Sequence, residues 1–211
     1  MQDVSALAAT AAALSVGVVS PGPSFVLVAR TSIASSRSEG VAAAFGMGTG
    51  GLSFAVAALL GLHGLLLAVP AVYLGLKVAG GLYLAYLGIQ IWRGSRQELA
   101  VLVASADFRS DTMMRAFRLG LTTQLSNPKT AIVYASVFAA FMPEQPTTAF
   151  IVALALTAFA IETGWYCLVA VVLSAERPRQ AYLRFKSGVD RLAGGVMVAL
   201  GLRLVASAIR P

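Results

Sequence analysis

Two stretches decide how this chain folds: Ser20-Pro21-Gly22-Pro23-Ser24 and Ser126-Asn127-Pro128-Lys129-Thr130. Each lies inside an apolar segment of membrane-crossing length. Proline lacks the backbone N–H and clashes with the preceding turn, so each stretch is expected to break or kink its helix. In lipid, backbone groups freed in this way survive only where protein or a water-filled cavity satisfies them. Interrupted segments at corresponding places in two halves of a membrane protein point to a transporter's substrate site. Their depth agrees with that reading. Pro21 lies nine residues before Arg30, and Pro128 ten after Arg118. At 1.5 Å per residue both sit about 14–15 Å from the basic edge, close to half of a hydrocarbon core of about 30 Å.

Composition supports a membrane protein. Hydrophobic residues make up 58% of the 211, and charged residues 12%, against about 25% in soluble domains. The net charge of +7 does not indicate nucleic acid, because the basic residues lie between apolar segments as cytoplasmic loop charges do. The start, Met1-Gln2-Asp3-Val4, has no basic n-region and is not read as a signal peptide. Cys167 is the only cysteine, which rules out a disulfide or thiol relay within the chain and reads as a small buried hydrophobe.

Six segments can span the bilayer at about 20 residues each: Val4–Ala29, Val41–Leu62, Ala71–Trp92, Leu119–Phe141, Thr147–Leu173 and Val189–Ile209. The fold expected is a single all-α transmembrane domain over residues 1–211. Its first repeat covers about 1–92, a cytoplasmic loop about 93–118 and the second repeat about 119–211. The first, third and fifth connections and their boundaries hold Arg30, Arg37, Arg93, Arg96, Arg109, Arg115, Arg118, Arg177, Arg179, Arg184, Lys186 and Arg191; the second and fourth hold no Lys or Arg. Loops rich in Lys and Arg stay cytoplasmic, so both termini are expected in the periplasm.

The halves resemble each other. Lys77-Val78-Ala79-Gly80-Gly81-Leu82-Tyr83-Leu84-Ala85 matches Arg191-Leu192-Ala193-Gly194-Gly195-Val196-Met197-Val198-Ala199 at an offset of 114, with four identities, and Thr49-Gly50 meets Thr163-Gly164 at the same offset. A repeat of three helices must enter the membrane from the opposite side in its second copy. The expectation is therefore two inverted three-helix repeats, with helices one and four broken at the proline motifs.

The candidate substrate-binding residues are Ser20, Pro21, Gly22, Pro23, Ser24, Ser126, Asn127, Pro128 and Lys129. Gly22 permits close backbone approach, and exposed amides and carbonyls at the breaks suit a carboxylate and an ammonium. Lys129 and Glu162 are the deepest ionisable residues. A charge at the bilayer centre costs at least about 2.5–3.5 kcal/mol and therefore faces a cavity or a partner. Either the two pair with each other, or Lys129 holds a substrate carboxylate while Glu162 carries a proton or a substrate ammonium. Lys77 and Arg203 read as interface-seeking side chains, and His63 as a loop histidine. Tyr83, Tyr86, Tyr134, Trp165 and Tyr166 suit either packing or a pocket wall. Gly46, Gly50, Gly80, Gly81, Gly194 and Gly195 suit close helix contacts. No metal-ligand cluster, phosphate loop or nucleophile triad appears, so no metal, cofactor or enzymatic activity is expected.

The chain resembles the lysine exporter and homoserine/threonine efflux (LysE/RhtB) family of bacterial inner-membrane amino-acid exporters. The resemblance runs through essentially the whole length. It rests on Ser20-Pro21-Gly22-Pro23, the Gly-rich second segment, Leu76-Lys77 through Leu87-Gly88-Ile89-Gln90-Ile91-Trp92-Arg93, and Asn127-Pro128-Lys129. Glu162 stands in the fifth segment, where Asp is more usual. The resemblance implies six helices, efflux of small amino acids or related metabolites, and exchange for protons. No acidic residue lies within the second segment, which disfavours a strongly cationic cargo. A homodimer is compatible with so small a bundle. The rival readings are a non-transporting membrane scaffold, which gains little from intramembrane charges, and a metal- or redox-handling membrane protein, which one cysteine and one histidine disfavour.

Overall fold

A computed structural model describes residues 2–20, 22–68, 70–95, 112–143 and 146–209. Eight helices and no strand are found among them. They are α1 (Gln2–Val19), α2 (Pro23–Ala34), α3 (Arg37–Ala68), α4 (Pro70–Gly94), α5 (Met113–Leu125), α6 (Pro128–Phe141), α7 (Thr148–Leu173) and α8 (Glu176–Ile209). Local chemistry sets the starts. Pro23, Pro70 and Pro128 open α2, α4 and α6, where the missing N–H has no intrahelical partner to lose. Thr112, Asn127 and Thr147 cap α5, α6 and α7 by accepting from the backbone N–H of Arg115, Lys129 and Phe150 at 3.2, 3.0 and 3.2 Å.

Both expected breaks are present. The axes of α1 and α2 differ by 58° across the first, and α5 gives way to α6 across the second. Segments Arg37–Leu59, Thr148–Leu173 and Arg184–Ala208 are each long and apolar enough to cross a membrane, and the bent pair Val4–Val19 with Pro23–Ala34 makes a fourth. The 14 residues of α6 reach about 21 Å, short of a bilayer core without α5.

Helix ends depart from the sequence expectation. The helix α2 continues to Ala34, so Arg30 is a buried helical residue, 7% exposed, and not part of a connection. His63 lies within α3, which runs on to Ala68. The fifth connection shrinks to Ser174 and Ala175, because α8 begins at Glu176 and contains Arg184 and Lys186. Charged and amide side chains are good helix formers, so a helix does not stop where its apolar stretch does.

Close packing is built on small residues. The pair α4 and α8 is antiparallel and in backbone contact. A Cβ added at Gly81 would lie 2.7 Å from the Gly201 carbonyl oxygen, and one added at Gly88 would lie 2.5 Å from that of Gly194. Gly46 and Gly120 likewise leave no room for a side chain between α3 and α5. The matched residues Gly50 and Gly164 are not equivalent in packing. Gly50 abuts Gln124, whereas nothing lies within 4 Å of a Cβ at Gly164.

The buried apolar residues fall into two clusters. One gathers Leu14, Leu59, Phe138, Leu154, Met197 and Leu204. The other gathers Phe25, Val28, Met47, Val169 and Leu173. Along α1–α2, α3 and α7 the two clusters follow one another; the second break lies where they meet, and the first lies just inside the second cluster, between Val18 and Phe25.

Candidate functional site

The two breaks meet. Gly17 packs on Val133, Ser20 receives Lys129, and Ser24 is bonded by Asn127, so numbers rise on one broken segment as they fall on the other. The segments therefore cross antiparallel at their interruptions. Between the apolar clusters this crossing places a layer of buried polar side chains: Ser20, Ser24, Gln124, Asn127, Thr130, Glu162 and Thr163.

The breaks are finished differently. At the second, the Asn127 side chain accepts the Lys129 N–H at 3.0 Å and closes the start of α6 from within. At the first, Gly22 precedes α2 in extended backbone, φ −165°, with no side-chain cap. The Lys129 ammonium satisfies the other side of that break, just past the end of α1. It donates to the Ser20 carbonyl at 2.7 Å and to Ser20 Oγ at 2.9 Å. A hydroxyl–amide chain ties the segments together: Asn127 Nδ2 donates to Ser24 Oγ at 2.9 Å, and Ser24 Oγ donates to Gln124 Oε1 at 2.5 Å.

Glu162, 2% exposed, reaches the same place from α7. Tyr134 of α6 donates to its Oε1 at 3.3 Å, and the Gln124 amide acts on the carboxylate from α5, although neither its nitrogen nor Glu162 Oε2 has a partner within full hydrogen-bond distance. A Cβ at Gly51 would lie 2.8 Å from Glu162 Cγ and 2.9 Å from the Tyr134 hydroxyl. The bare backbone of α3 at Gly51 is thus what admits both groups. Lys129 and Glu162 act on each other electrostatically. They form no direct pair, because each is bonded elsewhere.

These groups surround a cavity lined by Gly17, Val18, Ser20, Gly22, Ser24, Asn127, Lys129, Thr130, Val133, Tyr134, Glu162 and Tyr166. Its free volume is about 20 Å³. That is room for one water, since a water needs about 10–15 Å³ by this measure. An amino acid does not fit until the surrounding helices part.

Among the residues expected from the sequence, Ser20, Gly22, Ser24, Asn127, Lys129 and Glu162 line the cavity. Pro21 lies outside the described residues. Pro23, Ser126 and Pro128 are exposed and face away from it, shaping the breaks without lining the space. Gly22 adopts a backbone conformation open to any residue, and a Cβ there would stand 3.5 Å from the Lys129 Cδ and Nζ. Its contribution is space beside Lys129. Tyr134 and Tyr166 are wall residues, whereas Tyr86 is exposed. The sequence reading missed Gln124. Its only signal was an amide one turn ahead of Asn127 in an otherwise hydroxyl-bearing and apolar run. Among the described residues no three His, Cys, Asp or Glu side chains gather to hold a metal ion.

A helical membrane protein with two broken segments crossing over a charged, water-sized cavity is built as a membrane transporter is. The profile of the LysE type translocator family matches residues 15–208, and the chain belongs to that family. It is 34% identical over 194 residues to the threonine efflux protein of Escherichia coli K12, covering 91% of this chain and 93% of that one. The threonine efflux protein of Salmonella typhimurium is 33% identical over 196 residues, at 91% and 93% coverage. The leucine efflux protein of Klebsiella pneumoniae is 26% identical over 199 residues, at 92% and 88%. No solved structure matches the chain.

Proposed function

We propose that this protein is a secondary-active exporter of a small amino acid or close derivative across the bacterial inner membrane, and not an enzyme or a scaffold. The observation that carries this reading is the meeting of both breaks around Lys129 and Glu162, between two apolar clusters. Membership of the translocator family and similarity to threonine and leucine efflux proteins support it. The substrate carboxylate replaces Ser20 on the Lys129 ammonium. The substrate ammonium goes to the freed Ser20 carbonyl and the unpartnered Glu162 oxygen. A proton on Glu162 removes the negative charge that balances Lys129, so protonation and substrate loading bias the inward- and outward-facing states in opposite directions.

In this reading the chain crosses six times. Segments α1–α2, α3 and α4 form one repeat, and α5–α6, α7 and α8 its inverted copy, with both termini periplasmic. The reciprocal contact of Gly81 with Gly201 and Gly88 with Gly194 supports a two-fold relation of α4 and α8 at an offset of 113 (194 − 81 and 201 − 88), one residue away from the offset of 114 read in the sequence. A homodimer is compatible with this arrangement. The test is uptake of a labelled amino-acid panel into inverted membrane vesicles under an imposed pH gradient. Uptake of at least one neutral amino acid, lost in Lys129→Met, is expected. Equal uptake with and without the protein across the panel would reject export.

A further inference from the structure

We infer that the groove between the starts of α3 and α5 binds an anionic phospholipid, with its phosphate on Arg37 and an acyl chain along Phe45. The two helices touch backbone to backbone at Gly46 and Gly120. On the N-terminal side of that contact lies a groove of about 690 Å³, within the range of small-molecule sites. Its wall is Arg37 and Ser38, then Val41, Ala42 and Phe45 on α3, with Met113 on α5. The two ends differ in chemistry. At the head, Arg37 is exposed, and among the described residues no carboxylate pairs with it. Glu39, the nearest acid in sequence, accepts instead from Ser36 Oγ at 3.1 Å and does not line the groove. Ser36 Oγ caps the Glu39 N–H at 3.2 Å, while the N–H groups of Arg37 and Ser38 have no partner within the helix. A guanidinium beside such a helix start suits a phosphate, which it can grip with two parallel bonds.

The tail of the groove is apolar. Phe45 is 46% exposed and Met113 60%. Phe45 lies eight residues further along α3 than Arg37, or about 12 Å. Arg37 opens the segment Arg37–Leu59, which is long and apolar enough to cross a membrane. The head therefore stands at the membrane edge, where lipid phosphates lie, and the tail reaches into hydrocarbon. A soluble anion would use the arginine and leave the apolar wall bare. A zwitterionic lipid would cover the wall but bring a second cation against Arg37. An anionic phospholipid satisfies both ends, as basic pockets between membrane helices do for anionic head groups. This site does not depend on the transport reading: vesicles without uptake would reject export and leave the lipid selectivity standing.

The test is native mass spectrometry of the full chain released from detergent. The protein is titrated with dioleoyl phosphatidylglycerol, with dioleoyl phosphatidylcholine, and with phosphatidylglycerol in the presence of inorganic phosphate. Phosphatidylglycerol is expected to bind more tightly than phosphatidylcholine. Arg37→Gln should weaken phosphatidylglycerol binding by about fivefold, or ~1 kcal/mol. It should leave phosphatidylcholine binding unchanged, which also marks the variant as folded. Phe45→Ser should weaken both lipids alike, because it strips the chain contact and not the head. Equal affinity for the two lipids in the wild type would overturn the inference, as would unchanged phosphatidylglycerol binding in Arg37→Gln. Displacement of phosphatidylglycerol by an equal concentration of inorganic phosphate would overturn it too, leaving a site for free anions. So would a wild-type dimer that Phe45→Ser splits, since the groove would then belong to a second copy of the chain.

Discussion

The two breaks are related in sequence but not in how they are satisfied. The second is self-sufficient: Pro128 opens α6, and Asn127 caps it from one residue before. The first has no cap of its own and depends on a cation from the other half, the Lys129 ammonium on Ser20. A self-capped break keeps its shape whatever fills the cavity. A break held by a borrowed charge changes when that charge is drawn away by a substrate or another acid. On the proposed transport cycle α5–α6 would be the anchored segment and α1–α2 the moving one, with Lys129 as the link between them.

The strongest way to break the comparison is Lys129→Met, which removes the borrowed charge. Each lost charged hydrogen bond weakens substrate holding by ~1.5–3 kcal/mol, so export is expected to fall by about tenfold to a hundredfold, measured as initial uptake in inverted vesicles. Glu162→Gln keeps the shape and the acceptor for Tyr134 but cannot carry a proton. Export should lose its response to an imposed pH gradient while membrane insertion and yield stay at wild-type levels. Wild-type pH dependence in this variant would remove Glu162 as the proton carrier. Asn127→Ala strips the cap from the anchored break and should cost about 1 kcal/mol of stability, seen as a lower thermal unfolding midpoint in detergent. Gly22→Ala sharpens the contrast at the small end. Its backbone suits alanine and its Cβ meets only ordinary contacts at 3.5 Å. Stability should stay within about 0.5 kcal/mol, while part of the cavity beside Lys129 is filled. An Asn127→Ala protein as stable as Gly22→Ala would erase the distinction between the breaks.

The breaks were legible because proline, glycine and asparagine act locally: Pro23 and Pro128 start helices wherever they fall. That the two breaks share a level was legible from rise per residue, and Ser20 and Lys129 do meet. Helix ends were less so. Arg30, Arg184 and Lys186 looked like loop charges, yet a buried or paired cation continues a helix, as Lys186 does beside Asp190. Gln124 was illegible because its direction depends on how α5 seats against α3 at Gly50, a tertiary fact. Of the two readings the sequence left open for Lys129 and Glu162, the direct pair is not formed, because Ser20 and Tyr134 bond the two groups instead.

Binding of an amino acid to Lys129 in the cavity between the breaks, once the surrounding helices part, is the step on which the proposed export rests. Its most direct test is ligand protection of Val18→Cys, in the Cys167→Ser background, from a water-soluble maleimide. The measurement compares a panel of neutral amino acids in wild-type Lys129 and Lys129→Met proteins. The amino acid that the vesicles transport is expected to slow alkylation as well, saturably, with this protection lost in Lys129→Met. An exported amino acid that never protects position 18, or that protects equally without Lys129, would place the substrate elsewhere and contradict it.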